Sequence, residues 1–529
     1  MFISTAARQS GDKLALRAVP LILAMMGATA ASAQETARGR TNPREGAAFP
    51  RLPDAVSKPP AWLGTEAPFD VAQFFAAPPR DRNAAPLYLD ALFEFGDGVA
   101  ECYPAGPQRE RRRRAATDRS KRYTDLMQPI FNVANADVPP AVADEVIRLY
   151  DEGMRKLKEA QRRDQCVFET GLSVYALLPH VQAARQVARI VAIRVHQSVQ
   201  RGDLEGAIRD VEIVLRLARD LQRRGVTITQ LVASSLNQVV GFSMVSAILS
   251  SPKLKAKDCD ALLRVLLTHD QKSTDGYAEG LRADCVTARA TLRDLVLHQR
   301  EIAARFKQKP GESVIKAALK DLNGGRDLGD AVPDDIDARV ARTTPSDLTR
   351  SEREIDRYYR TALALDGVPA AEVLRKLPAV KRIESPGPLS VLTGMLAPPE
   401  VLESIVRATS RARTTVRASE CLVAMRRWQL THRDLPRSLL IAAKDAGLKS
   451  VPIDPYDGKP MRLVSVNGEP VIYSVGRDGK DDGGEKDSKN DAQAGDLLYR
   501  LPAIEDPHRI RPASVRGKPA SVLAFHTAR

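Results

Sequence analysis

Residues 454–496 read DPYDGKPMRLVSVNGEPVIYSVGRDGKDDGGEKDSKNDAQAGD. Met461, Leu463 and Ser465 alternate with Arg462, Val464 and Val466, the period of two expected of a strand. Asn467-Gly468 follows, then the β-prone run Val471, Ile472, Tyr473 and Val475. Asn-Gly between two such runs predicts a hairpin, because both residues of its tight turn need positive φ. Asp454-Pro455-Tyr456-Asp457-Gly458 predicts a second turn just upstream. Residues 497–501, closed by Pro502, predict a third strand. Working outward, the expected fold is mainly α. A helical, solenoid-like body precedes a small α+β module with a three-stranded antiparallel sheet.

Between the second and third strands lies an acidic loop rich in glycine. Asp478, Asp481, Asp482, Glu485, Asp487, Asp491 and Asp496 face only Lys480, Lys486 and Lys489. Like charges held this close need water or a cation. Ca²⁺ takes about 6–8 oxygen ligands, and Gly479, Gly483 and Gly484 would let the backbone bend around it. The spacing is not that of an EF-hand. On residue types alone, a solvated surface loop and a calcium loop both stand, with Asp478, Asp481, Asp482, Asp487 and Asp496 as the candidate metal ligands.

Residues 411–501 resemble the soluble domain of the major pseudopilin of bacterial type II secretion systems, the protein G family. A long helix, VRASECLVAMRRWQLTHRDLP, ends in a turn marked by Pro436. Asp454-Pro455-Tyr456 is similar to the family's D-P-W/Y-G, and Tyr473-Ser474-Val475-Gly476-Arg477-Asp478-Gly479 to its Y-S-x-G-x-D-G. The resemblance implies a structural calcium in the acidic loop. Asp478 and Asp496 stand at the matching positions, and Asp481, Asp482 and Asp487 lie between them. Asp457 interrupts the D-P-Y-G turn, the loop is longer than the family's, and the filament-forming hydrophobic helix has no counterpart here.

Toward the N-terminus, residues 1–33 read as a secretory signal peptide. Arg8, Lys13 and Arg17 form a basic region, 18–28 an apolar core, and Ala31-Ser32-Ala33 a cleavage site. This predicts an exported protein, periplasmic or extracellular. Residues 34–67, rich in Pro, Arg, Ala and Gly, read as a disordered linker. The body occupies 68–398, the long helix and sheet 399–502, and a tail 503–529. The body's apolar residues recur at helical spacing. Val174, Leu177, Val181, Ala184 and Val187 continue into Val191 and Val195, with Pro179 expected to kink or split that helix. Gly202-Asp203 predicts a break before the next helix. RGDLEGAIRDVEIVLRLARDL resembles half of a tetratricopeptide-like pair, without a repeat at fixed period. No segment beyond the leader is expected to span a membrane.

Five cysteines in an exported chain cannot all pair. The expected disulfides are Cys259–Cys285, on successive helices, and Cys102–Cys166, leaving Cys421 as a buried thiol. The alternative is five reduced core residues. The net charge of +14 is concentrated in part at Arg109, Arg111, Arg112, Arg113 and Arg114, with Arg119, Lys121 and Arg122 behind them. That run reads as a solvated loop or as weak contact with an anionic surface. Without interleaved aromatics in an exported chain, nucleic acid is not an expected partner.

The seven histidines are scattered, and H-E-x-x-H, G-x-S-x-G and the phosphate-loop motifs are absent. The expected function is therefore non-enzymatic. It combines a helical interaction body for protein or cell-envelope contacts with a calcium-stabilised, pseudopilin-like module at its end. The alternative is an envelope hydrolase with its site in a groove of the body, where a triad would assemble from distant segments.

Overall fold

The structure is a computed structural model that describes residues 55–56, 58–63, 66–130, 138–171, 178–274, 276–299, 313–317, 332–380, 387–484 and 495–504. The expected leader, most of the expected linker, the tail beyond 504 and Asp487 lie outside these residues.

Helices dominate: α1 (Ala85–Leu92), α2 (Pro107–Met127), α3 (Pro179–Arg201), α4 (Leu204–Gln222), α5 (Thr227–Val239), α6 (Ala256–Lys272), α7 (Gly276–Leu297), α8 (Pro345–Leu363), α9 (Ala370–Lys376), α10 (Pro399–His432) and α11 (Leu439–Asp445), with further helices between some of them, among them Pro140–Leu149 and Asp151–Ala160. Val174 and Leu177, the start of the expected run, lie outside the described residues, and Pro179 does not kink α3. It stands in the first turn of α3, where a missing N–H loses no intrahelical bond. Gly202, at φ 80°, ends α3, and the Asp203 carboxylate caps α4 by accepting from the Gly206 N–H at 2.9 Å. Past α5 the chain continues as a π-helical stretch, Val240–Val245, and a last turn, Ser246–Ser250. Residues Thr227–Ser250 together are long and apolar enough to cross a membrane, contrary to expectation. Here they pack against α3, α4, α7 and α10 as a core element.

The sheet follows the sequence closely. β1 (Arg462–Val466), β2 (Glu469–Ser474) and β3 (Leu497–Arg500) are antiparallel in that order. Leu463 faces Ile472 across β1 and β2, and Tyr473 faces Leu498 across β2 and β3. Asn467 and Gly468 turn the hairpin at φ 55° and 80°. The sheet is not appended to the body. Met461, Ile472 and Tyr499 join the large core built around α3, α4 and α5, while Tyr456 and Val475 join a second core around α7 and α8. α10 runs through both cores and ends at Arg433, in the left-handed region at φ 62°.

Part of the expected linker is packed. Ala55–Val56 pairs with Thr170–Gly171, Leu63 is buried, and the Trp62 ring lies 4.4 Å from the Arg293 guanidinium. The basic run is a helix rather than a loop. Within α2, Arg109 pairs with Glu101, Arg119 with Glu94 and Arg122 with Glu145, while Arg112 binds Asp90 and lies over the Phe93 ring. Arg111, Arg114 and Lys121 remain exposed.

Neither expected disulfide forms: Cys102, Cys166, Cys259, Cys285 and Cys421 are all buried thiols. The pairing of Cys259 with Cys285 assumed that successive helices return on each other. Instead α6 packs on α4 and α10, and α7 on α8 and α5. Cys259 thus enters the large core, whereas Cys285 enters the second, where its thiol donates to Asp356 Oδ1 at 3.7 Å. Cys102 and Cys166 share the large core as separate thiols. Maleimide labelling of the protein unfolded without reductant should modify all five cysteines; a mass two hydrogens short per protected pair would restore a disulfide.

Candidate functional site

Asp454 joins the two motifs from which the sheet was read. Its side chain is fully buried. Oδ1 accepts from the Tyr456 N–H at 3.0 Å and from the Ser474 hydroxyl at 2.9 Å, while Oδ2 accepts from the Val475 N–H at 3.0 Å. The D-P-Y turn and the Y-S-V-G strand end are therefore held by one carboxylate. The same turn holds the body: Pro455 O and Tyr456 O accept from the N–H groups of Ala370 and Ala371, which open α9, at 3.0 and 3.1 Å. Those donors have no partner inside their own helix.

Arg462, on β1, bridges this turn to the acidic loop. Its guanidinium donates to Asp457 and, at 2.8 Å, to Asp481 Oδ2. Asp457, the residue that interrupts the D-P-Y-G pattern, thereby gains a partner. Asp481 Oδ1 also accepts from the Tyr473 hydroxyl at 3.0 Å and the Gly483 N–H at 3.2 Å. Burial pushes the Asp481 pKa up, but these bonds and Arg462 outweigh it and hold the carboxyl below its usual range.

Asp496 is different. It is buried at the start of β3, and Oδ2 accepts from the Gly484 N–H at 2.7 Å. Oδ1 is buried with no hydrogen-bond partner. Burial, then the charges of Asp482 and Asp481, raise its pKa to about 6 against the pull of neighbouring N–H groups. Asp478 turns its Oδ1 to the Lys480 N–H at 3.1 Å, a local loop bond. Of the expected ligands, the fold thus places Asp481, Asp482 and Asp496 near one another and sets Asp478 to its own turn. Among the described residues, no three His, Cys, Asp or Glu side chains are grouped to hold a metal ion.

The second candidate region was not read from the sequence. A cavity of about 240 Å³ lies where α5, α6 and α10 meet the turn containing Asp454. Asp270 anchors its polar wall, accepting from Arg413 Nε at 3.3 Å and Arg417 Nε at 3.1 Å. Arg417 also donates to Ile453 O at 2.7 Å, tying α10 to the module's first turn. His269 is buried, and burial lowers its pKa to about 3, so the ring stays neutral. Its Nε2 lies 3.4 Å from Ser273 Oγ, but Nδ1 is buried without a partner. A nucleophile relay needs that second nitrogen oriented by a third group. The Ser273 hydroxyl meanwhile donates to the His269 carbonyl at 2.7 Å.

Comparison of the chain with family models, curated proteins and solved structures returned no match. The site is therefore read from its own geometry. Sequence reasoning missed Asp454 as the hub, Arg462 as the bridge and the whole cavity. A signal for part of the cavity was present: Thr227, Gln230, Ser234 and Asn237 form a buried polar stripe at helical spacing on an otherwise apolar helix, and Ser234 and Asn237 line the cavity.

Proposed function

We propose that the protein is a non-enzymatic exported protein, periplasmic or extracellular, whose helical, solenoid-like body makes protein or cell-envelope contacts. Its pseudopilin-like C-terminal module binds one Ca²⁺ in the acidic loop. The observation that carries the calcium reading is Asp496, a buried carboxylate with one oxygen unpartnered beside Asp481 and Asp482. A buried, unpaired acceptor of this kind is costly unless something occupies it. Asp496 is the anchor, Asp481 and Asp482 adjoin it, and Asp478 and Asp487 are the remaining loop carboxylates. Bound calcium would supply charge neutralisation and cross-linking of the loop, while Arg462 already performs part of that task for Asp481.

The test is thermal unfolding of the exported protein in calcium or chelator, with Asp496→Ala alongside. A cation that binds only the folded state stabilises it by about 2.7 kcal/mol at a hundredfold excess over Kd. Calcium should raise the melting temperature of the parent and leave Asp496→Ala unmoved. Identical melting of the parent in both conditions would reduce the loop to a solvated feature. The envelope-hydrolase reading rests on His269 beside Ser273. It requires a fluorophosphonate probe to label Ser273, and His269→Ala to abolish that labelling.

A further inference from the structure

In the order β1, β2, β3, the last strand is paired on one side alone among the described residues. Every second residue of an antiparallel strand turns its N–H and C=O away from its partner. Apart from the ladder to β2, no backbone N–H or C=O of residues 497–500 has a hydrogen bond among the described residues. A row of such groups is a ready surface for another extended chain. Side chains add to this edge. Leu463, Ile472 and Tyr499 stand opposite one another across the three strands, on the face where the Tyr499 hydroxyl lies 3.3 Å from Thr415 Oγ1 of α10. Phe242 joins this apolar row: its ring lies 5.9 Å from that of Tyr499, with 7° between the planes, and the residue is 49% exposed. The row thus begins in the core and reaches solvent at a ring stacked on the edge strand's tyrosine. Phe242 belongs to the π-helical stretch after α5. Its neighbour Gly241 seats that stretch on α10, where a Cβ would collide with the Thr415 side chain.

The charge beside the two rings narrows the occupant. Arg411, one turn before Thr415 on α10, is exposed and has no ion pair among the described residues. Its field reaches the edge strand: burial pushes the Tyr499 hydroxyl up to about 12, and the bond to Thr415 and then the Arg411 charge pull against it. Asp454, whose charge also reaches Tyr499, is buried and taken up by three hydrogen bonds. Arg500, the next residue along β3, is answered by Glu469 at 3.3 Å. The open charge at this edge is therefore positive. A second copy pairing through β3 would bring its own Arg411 against it. Strand addition takes its affinity from main-chain hydrogen bonds and its selectivity from alternate side chains. On the α10 side those side chains would meet the Phe242 ring and the Arg411 guanidinium, which suit an apolar group and a carboxylate. With only four residues in β3, the docked segment is short and its contact small, the regime of transient association.

We infer that the outer edge of β3 is a docking site for a short, extended, acidic segment of a partner protein, with Phe242 taking an apolar side chain and Arg411 a carboxylate. The surface uses none of the proposed calcium ligands, and its test is run in chelator so that calcium plays no part. The probe is the peptide acetyl-Glu-Thr-Phe-Thr-Glu-amide, whose Phe and two Glu side chains share one face when extended. Two controls go with it: the same peptide with Lys for Glu, and one N-methylated at every residue, which cannot donate to a strand. Calorimetry measures binding to the whole protein, and hydrogen exchange reads the amides of 497–500. The expected result is saturable binding of the acidic peptide with slowed exchange at β3, and at least tenfold weaker binding of both controls. Phe242→Ala and Arg411→Gln, both at exposed positions, should each weaken binding at least fivefold. Absence of saturable binding would overturn the inference, as would equal binding of the N-methylated peptide, the outcome for mere apolar contact with Phe242. So would exchange at β3 that the peptide leaves unchanged. In that case protection that grows with protein concentration assigns the edge to a second copy, and protection independent of concentration assigns it to the chain itself.

Discussion

Asp454→Ala should unfold the C-terminal module at a temperature where the parent is intact. The carboxylate is fully buried and accepts three hydrogen bonds, from two backbone N–H groups and one hydroxyl. Truncation leaves all three donors in a dry interior, and removal of one partner from such a buried arrangement costs about 3–5 kcal/mol. The damage should spread to the body, because the turn that Asp454 shapes also accepts from the Ala370 and Ala371 N–H groups. Asp454→Asn keeps an oxygen for Tyr456 and Ser474 but points an amide toward the Val475 N–H, so an intermediate loss of about 1–3 kcal/mol is expected. The measurement is thermal unfolding with limited proteolysis of the full chain. New early cleavage should fall near the hairpin. A melting temperature and cleavage pattern equal to the parent's would show that the hub carries little of the module's stability.

The hairpin was legible because its rules are local. Asn467-Gly468 must turn, and alternation on either side sets the strands' faces, so the register follows from a few adjacent residues. α10 was legible too: the long helix expected from residue 399 to the Pro436 turn is found as Pro399–His432. What the sequence hid depends on partners far along the chain. Cys259 and Cys285 are near in sequence, yet their helices pack on different neighbours and send the two thiols into different cores. The arginines of α2 look like a solvated run until Asp90, Glu94, Glu101 and Glu145 are brought beside them. At the acidic loop, composition announced the carboxylates. It did not show that Arg462, from the hairpin's first strand, already serves Asp457 and Asp481, while Asp496 keeps an oxygen unpartnered. The cavity is the extreme case: one wall comes from residues between 222 and 277, the other from α9, α10 and the Asp454 turn.

Glu420→Gln should make the protein more stable in alkaline solution and change little in acid. Glu420 lies inside α10, 2% exposed, with Oε1 buried and unpartnered. Burial, and then the Asp270 charge on α6, raise its pKa to about 8, against the opposing pull of Arg417 and Arg413 on its own helix. The ordinary value for the group is 4.5, so between about pH 4.5 and 8 the folded state holds a proton that the unfolded state has released. Stability therefore falls as pH rises through that window, the reverse of a salt-bridged carboxylate. Below it both states are protonated and the group is neutral to stability. Above it the full penalty of a buried charge is present, on the order of several kcal/mol, because stability falls by about 1.4 kcal/mol for each pH step across the window. Glutamine keeps the shape without the charge. The difference in unfolding free energy between variant and parent should thus be near zero at pH 5 and grow toward pH 9, where the variant melts higher. Taking the difference isolates Glu420 from Asp496, which titrates in the same direction but is present in both proteins. A difference that stays flat from pH 5 to 9 would mean that Arg413 and Arg417 serve Glu420 as well as Asp270, keeping it charged throughout. The two arginines would then be shared between two acids, and the α6–α10 contact beside the cavity would be an ion cluster of four residues rather than a clamp around Asp270 alone.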